Sequence, residues 1–136
     1  MAKVVIIGAG MMGSAMCWPL SDNQHSVSLV GTPLDCEIID SIQRTWLHPR
    51  LKRQIPEGVH AYQFDVAGSL LGEADLLISG VSSFGVEWFI QNVIPQLNHV
   101  PVLMVTKGLH LTANGDLESF PEFMSRQLTA EQFGQV

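Results

Sequence analysis

The chain has 136 residues, 46% of them hydrophobic and 15% charged, enough apolar material for one domain around one core without help from disulfides or a structural metal. Thirteen Asp and Glu stand against seven Lys and Arg, a formal net charge of −6, and no long basic run occurs. Nucleic-acid binding is thereby excluded, because affinity for a phosphate backbone comes mainly from clustered positive charge.

Val4 to Ile7 is a continuous apolar run of the kind found in a central parallel strand covered on both faces. Ending at Gly8, it is too short for the apolar region of a signal peptide or for a membrane span. Met12 to Leu20 reads as a helix interrupted near Pro19, and Ser26 to Val30 as a second strand. From Asp35 to Leu47 apolar residues recur at Ile38, Ile39, Ile42 and Trp46, a helical spacing. His48 to Glu57 holds Pro49, Pro56 and the basic residues Arg50, Lys52 and Arg53, and reads as a loop. Val59 to Tyr62 is a third strand, Val66 to Leu71 a short helix, and Asp75 to Ser79 another buried strand. Gly85 to Leu97 carries an apolar face of helical period, and Pro101 to Thr106 is a further strand with its proline at the start. Leu111 to Gly115 reads as a loop, Pro121 to Leu128 as a helix, and the weakly periodic tail from Thr129 to Val136 is expected to fray.

Strands alternating with helices through short connections predict an α/β domain over residues 1–128, followed by the tail 129–136. The expected architecture is a three-layer, doubly wound parallel sheet of Rossmann type with strand order 3-2-1-4-5.

Gly8-Ala9-Gly10-Met11-Met12-Gly13 forms GxGxxG, leaving a strand and opening a helix, which is the context the motif requires. Gly8 allows the tight turn, Gly10 lets a pyrophosphate approach the backbone, and Gly13 lets helix and strand pack closely. Ala9, Met11 and Met12 belong to the same loop, whose free N–H groups face the phosphates with the helix dipole behind them. Thr32 stands where many such folds place a carboxylate for the ribose 2′-hydroxyl. Asp35 comes a few residues late, where helix charge compensation is an equal explanation, and no arginine adjoins Thr32 to bind a 2′-phosphate. The choice between NAD and NADP therefore stays open. Beyond the later strands, Ser82 and Ser83 either meet a ligand or cap the next helix, and Lys107 before Gly108 aims a cation toward an anionic substrate or into solvent.

Other chemistry finds no support. Cys17 and Cys36 form no CxxC and read as reduced thiols of a cytoplasmic protein. His25, His48, His60, His99 and His110 show no paired-ligand spacing, so no metal is expected. Trp18, Trp46 and Trp88 read as packing residues.

Taken in order, VVIIGAGMMGSAM, SVSLVGTPLD, HPRLKRQIPEGV, EADLLISGVSSFGVEWF and VLMVTKGL resemble the N-terminal domain of the NAD(P)-dependent glycerol-3-phosphate dehydrogenase family, from Lys3 to about Leu128. The resemblance implies that Lys107 contacts both cofactor and substrate, and that Gly8 to Gly13 and Thr32 hold the nicotinamide dinucleotide. It also implies a reversible hydride transfer between NAD(P)H and dihydroxyacetone phosphate or glycerol 3-phosphate. Met11, Met12, Thr32 and Ser82 depart from the family's usual residues, as expected of a divergent branch. In the family a second, helical domain supplies the catalytic lysine and binds the substrate phosphate. No catalytic residue is therefore expected within this chain, and little or no activity from it alone. An exposed last strand is expected to drive self-association. The alternatives are a nucleotide-sensing or protein-docking module, or a reductase of the ketopantoate or 6-phosphogluconate dehydrogenase type.

Overall fold

Every residue from Val4 to Ile7 is buried in the computed structural model, which describes residues Met1 to Val136. β1 (Lys3–Ile7) is the middle strand of a parallel sheet, paired with β2 (Ser26–Val30) in the register Val4 to Val27. Successive side chains point to opposite faces, so Val5 and Ile7 enter one core while Val4 and Ile6 enter the other. An apolar run without alternation is what a strand between two helical layers requires.

Four further strands intervene or follow before the sheet is complete: β3 (Leu47–His48), β4 (Arg53–Gln54), β5 (His60–Tyr62) and β6 (Leu76–Ser79). With β7 (Val102–Met104) the sheet order is β5-β2-β1-β6-β7, all parallel. Counting the sheet strands in chain order this is the expected 3-2-1-4-5; only the labels differ, because β3 and β4 lie between the second and third sheet strands in the chain and pair antiparallel outside the sheet. The segment expected to be a loop from His48 to Glu57 is thus largely a hairpin. A second hairpin, β8 (His110–Leu111) with β9 (Leu117–Glu118), turns through Gly115 at φ 88°, where a loop was expected.

Prolines decide where the helices break. The expected helix from Met12 to Leu20 is two helices, α1 (Met11–Ala15) and α2 (Cys17–Asp22). Pro19 has no N–H for the Ala15 carbonyl and its ring crowds that carbonyl, so the chain shifts at Met16. α3 (Cys36–Thr45) presses Ile38, Ile39 and Ile42 into the core beside Val27 and Leu29, and ends at Trp46 in a left-handed conformation of φ 62°. On the other face lie α4 (Ala67–Leu71), preceded by a 3-10 turn, and α5 (Val86–Asn92). α5 stops short of Leu97 because Pro95 cannot donate to Gln91, and Ile94–Gln96 continues as a 3-10 turn. Phe89, fully buried on α5, is among the largest contributors to this core, and truncating such a phenylalanine typically costs about 3–5 kcal/mol.

The C-terminal residues are more ordered than their periodicity suggested. α6 (Phe120–Gln127) begins with a reciprocal capping box in which the Ser119 hydroxyl accepts from the Glu122 amide and the Glu122 carboxylate accepts from the Ser119 amide. Those bonds hold the Glu122 carboxyl below its ordinary range. α7 (Ala130–Phe133) repeats the device with Thr129 and Gln132, and the Gln135 carbonyl then accepts from the Val102 amide at the sheet edge. No helix is long and apolar enough to cross a membrane.

Candidate functional site

Where β1 and β6 end, three stretches of backbone meet with no room for a side chain. Gly8 turns at φ +109°, and a Cβ on it would lie 2.8 Å from the Gly80 carbonyl carbon. A Cβ on Gly13 would sit 2.1 Å from the Gly8 oxygen, and one on Gly80 only 2.5 Å from the Gly13 Cα. Gly8 and Gly13 are therefore demanded by the fold itself. Gly80, at the end of β6, is their third partner; it reads in the sequence only as a strand boundary.

Gly10 differs. Its φ of −65° and ψ of 178° suit any residue, and a Cβ there would meet nothing within 4 Å. Neither backbone nor packing explains a glycine at this position. It lines a cleft of about 460 Å³ at the carboxyl ends of β1, β2 and β6, where the sheet order reverses direction. The missing Cβ leaves room for a molecule other than the protein, approaching the backbone as a pyrophosphate does. Met11 and Met12 open α1 with exposed side chains, and their amides, at the first turn, have no acceptor within the helix. The residues present fit a dinucleotide.

The β2 side of the cleft is tightly cross-linked. One oxygen of Asp35, Oδ2, accepts from the Ala9 amide at 3.1 Å, the Thr32 amide at 2.9 Å and the Thr32 hydroxyl at 2.8 Å. Asp35 makes no capping bond to α3, so its work is to hold the loop after β2 against the glycine-rich loop. The Ala9 carbonyl accepts from the Ser14 hydroxyl at 3.1 Å and lies 2.9 Å from His48 Nε2. Ala9 is fully buried, and side chains from three elements fix both polar groups of its peptide units. Thr32 lines the cleft, and so does Arg50, carried there by the turn of the β3–β4 hairpin. Arg50 is the one cation lining the cleft and makes no ion pair. The sequence has no arginine adjoining Thr32; the fold brings one into the same cleft from 18 positions away.

The opposite side is apolar and sparsely bonded. Ser82, Phe84 and Trp88 line it, with Phe84 96% exposed at the lip and Trp88 edge-on to Phe64 at 4.8 Å. Neither Ser82 nor Ser83 caps a helix through its side chain. Ser83 lies outside the cleft lining and packs toward Gly108, whose added Cβ would be 3.6 Å from the Ser83 Cβ. The loops after β6 and β7 therefore touch, and the Thr106 hydroxyl donates to the Val81 carbonyl at 2.8 Å to hold them together. Lys107, next in the chain, is exposed, forms no ion pair and lies beyond the cleft lining. Glu118 anchors the hairpin that follows, bonded to His110 at 2.8 Å and to Arg126.

The remaining candidates are structural. Trp18 is half-buried under the Arg53 guanidinium, 4.5 Å from the ring centre. Both cysteines are free; burial pushes the Cys17 thiol up to about 12. No cluster of His, Cys, Asp and Glu capable of holding a metal ion occurs.

A family model described as the N-terminus of NAD-dependent glycerol-3-phosphate dehydrogenase matches residues 3–135. The NADP(+)-dependent glycerol-3-phosphate dehydrogenase of Archaeoglobus fulgidus is 37% identical over 106 residues, covering 78% of this chain and 31% of that protein. The glycerol-3-phosphate dehydrogenase [NAD(P)+] of Shouchella clausii is 27% identical over 110 residues, covering 80% and 32%. This chain thus spans about a third of the length of the curated relatives it matches. Among solved structures, glycerol-3-phosphate dehydrogenase from Plasmodium falciparum superposes with a TM-score of 0.74 at 21% identity, over 94% of this chain and 38% of that one. The Coxiella burnetii enzyme gives 0.69 at 23%, over 79% and 33%. At those identities the two structures establish the fold.

Proposed function

This chain belongs to the family of NAD-dependent glycerol-3-phosphate dehydrogenase N-terminal domains, and from that premise we propose that its cleft binds NADP(H) in preference to NAD(H), for a dehydrogenase acting on a small phosphorylated alcohol–ketone pair. Bound there, the nicotinamide would exchange a hydride with the carbinol carbon of glycerol 3-phosphate or the carbonyl carbon of dihydroxyacetone phosphate. The chain's own residues bind and orient. Gly10 leaves space for the pyrophosphate, and the Met11 and Met12 amides face it. Ala9 holds the loop in register, and Thr32 and Arg50 receive the ribose and its 2′-phosphate. Phe84 and Trp88 offer the dinucleotide an apolar surface on the opposite side. Lys107, free of any carboxylate, offers its charge to the substrate phosphate.

The single observation that carries the nucleotide preference is Arg50, an unpaired guanidinium lining the same cleft as Thr32. The close relative named for NADP supports the same choice. A second reading rests on Asp35, whose Oδ1 has no partner in the chain and would accept from a free 2′-hydroxyl, favouring NAD. Residues 1–136 taken alone are expected to bind nucleotide with little or no turnover, because hydride transfer needs the substrate carbon held in near-attack geometry as well as the nicotinamide. Free thiols suit a cytoplasmic setting, and exposed Leu103 on β7 with Leu109, Leu111 and Leu117 beyond it suit a homo-oligomer or a protein neighbour.

Calorimetric titration of the chain with NADPH and NADH tests this. Gly10→Val is expected to abolish both isotherms while the fold persists, and Arg50→Gln to cut NADPH affinity about tenfold or more with little effect on NADH. Failure of NADPH to bind at millimolar concentration would sink the proposal; an intact NADPH preference in Arg50→Gln would sink the role of Arg50.

A further inference from the structure

His48 has no exposed surface, and its ring is bonded at both nitrogens. Nε2 lies 2.9 Å from the Ala9 carbonyl, which can only accept, so Nε2 carries the proton. Nδ1, 3.1 Å from the Leu51 amide, accepts. The partners fix one neutral tautomer. Through these two bonds the imidazole spans from the glycine-rich loop to the turn of the β3–β4 hairpin, across 39 positions of sequence. Between its own residue and Leu51 stands Arg50.

The hairpin needs such a tie. Its strands have two residues each, far below what holds a hairpin together unaided, and Lys52 sits at φ 51° in its turn. Its other anchors are the buried Ile55, the Ser41 hydroxyl that donates to the Leu47 carbonyl at 3.0 Å, and Arg53, which pairs with His48 and lies over Trp18 of α2. Of these ties, only His48 hydrogen-bonds the turn that bears Arg50 to the loop that faces the pyrophosphate.

We propose that His48 is a positioning residue for nucleotide selection, latching the Arg50 turn to the glycine-rich loop so that phosphate groups at the two ends of the adenosine half are read at one fixed spacing. This rests on the NADP(H)-binding reading above. It assigns to a buried histidine a part in specificity without contact with the nucleotide.

The test compares the NADPH-to-NADH affinity ratio in the wild-type chain, His48→Leu and His48→Gln. Leucine removes both ring bonds; glutamine reaches to where Nε2 stands and keeps a donor for Ala9. The ratio is expected to fall about tenfold in His48→Leu, through loss of NADPH affinity, and to recover most of that in His48→Gln. Equal weakening of both nucleotides, or an unchanged ratio, would reduce His48 to loop support and overturn the proposal.

Should His48→Leu fail to fold, the wild-type chain still decides. With 15N-labelled histidine, 2′,5′-ADP is expected to shift the His48 Nε2–H resonance clearly more than 5′-AMP does, and identical shifts would overturn the latch. Wild type binding neither nucleotide defeats the function and the latch together. Wild-type NADPH preference abolished by Arg50→Gln but untouched in His48→Leu defeats the latch alone.

Discussion

The two walls of the cleft are built on different principles. On the β2 side, Asp35, Ser14 and His48 converge on the backbone of one buried alanine, and every bond is made before any ligand arrives. On the β6–β7 side, Ser82 caps nothing, Phe84 stands in solvent and Lys107 has no partner. Preorganisation lowers the entropy lost on binding, so the first wall is suited to gripping a ligand of fixed shape. The second is unfinished as a binding surface, and its free groups suit a ligand or a protein surface that completes it. Affinity and nucleotide choice should therefore reside in the first wall, and substrate handling in the second.

The contrast breaks most sharply at the glycines. Gly13→Ala is expected to cost about 3 kcal/mol or more, since its Cβ would meet backbone at 2.1 Å and nothing there is flexible. Gly10→Ala, three residues earlier, should leave thermal stability unchanged or raise it by up to about 1 kcal/mol through the unfolded chain. Paired melts by circular dichroism check both. Equal losses would mean that the turn as a whole, rather than the close contact at Gly13, is what limits substitution.

A smaller effect separates the walls themselves. Asp35→Ala strips a shared acceptor from the Ala9 and Thr32 amides, and about 2 kcal/mol of destabilisation is expected in a urea titration. Lys107→Ala touches nothing bonded and should stay within about 0.5 kcal/mol of wild type, while weakening binding of phosphorylated substrate in a full-length enzyme. Similar losses in both variants would erase the distinction.

The smallest effect at neutral pH concerns the thiols. A maleimide or disulfide reagent at pH 8 is expected to label exposed Cys36 and spare buried Cys17 until the chain unfolds. The folded Cys17 thiol is raised from 9.0 to about 12, chiefly by burial. Its stabilising contribution is complete below pH 9 and disappears as pH climbs through that window, because only the unfolded thiol ionises there. Fast native labelling at two sites would show that the core around α2 opens readily.

Much of this was legible in the chain. The run Val4 to Ile7, the GxGxxG that follows and the alternation of short and long apolar segments indicate a doubly wound sheet with its ligand at the end of β1. They do so because strand and helix periods and glycine stereochemistry are local properties. Helix interruption near Pro19 was local too, although the break falls at Met16, where the missing bond is felt. Asp35 was legible only as a late carboxylate, since the fold-back of Thr32 to Asp35 onto Ala9 is a contact across 26 positions. The hairpin of Leu47 to Gln54 carries no alternation, two residues per strand being too few to show a period, and it read as a basic loop.

From the order of residues alone follow an α/β parallel sheet, a backbone that opens a dinucleotide-type turn, and the place of that turn along the chain. Only the tertiary structure decided which glycine serves the ligand, because Gly8, Gly10 and Gly13 are alike until the Gly80 backbone packs against two of them and not the third. Only it brought Arg50 into the cleft that Thr32 lines and buried His48 against the glycine-rich loop. The physical reason is common to both. Spacing encodes what neighbours along the chain require, whereas a site is made by groups that become neighbours only when the sheet closes the distance between its loops.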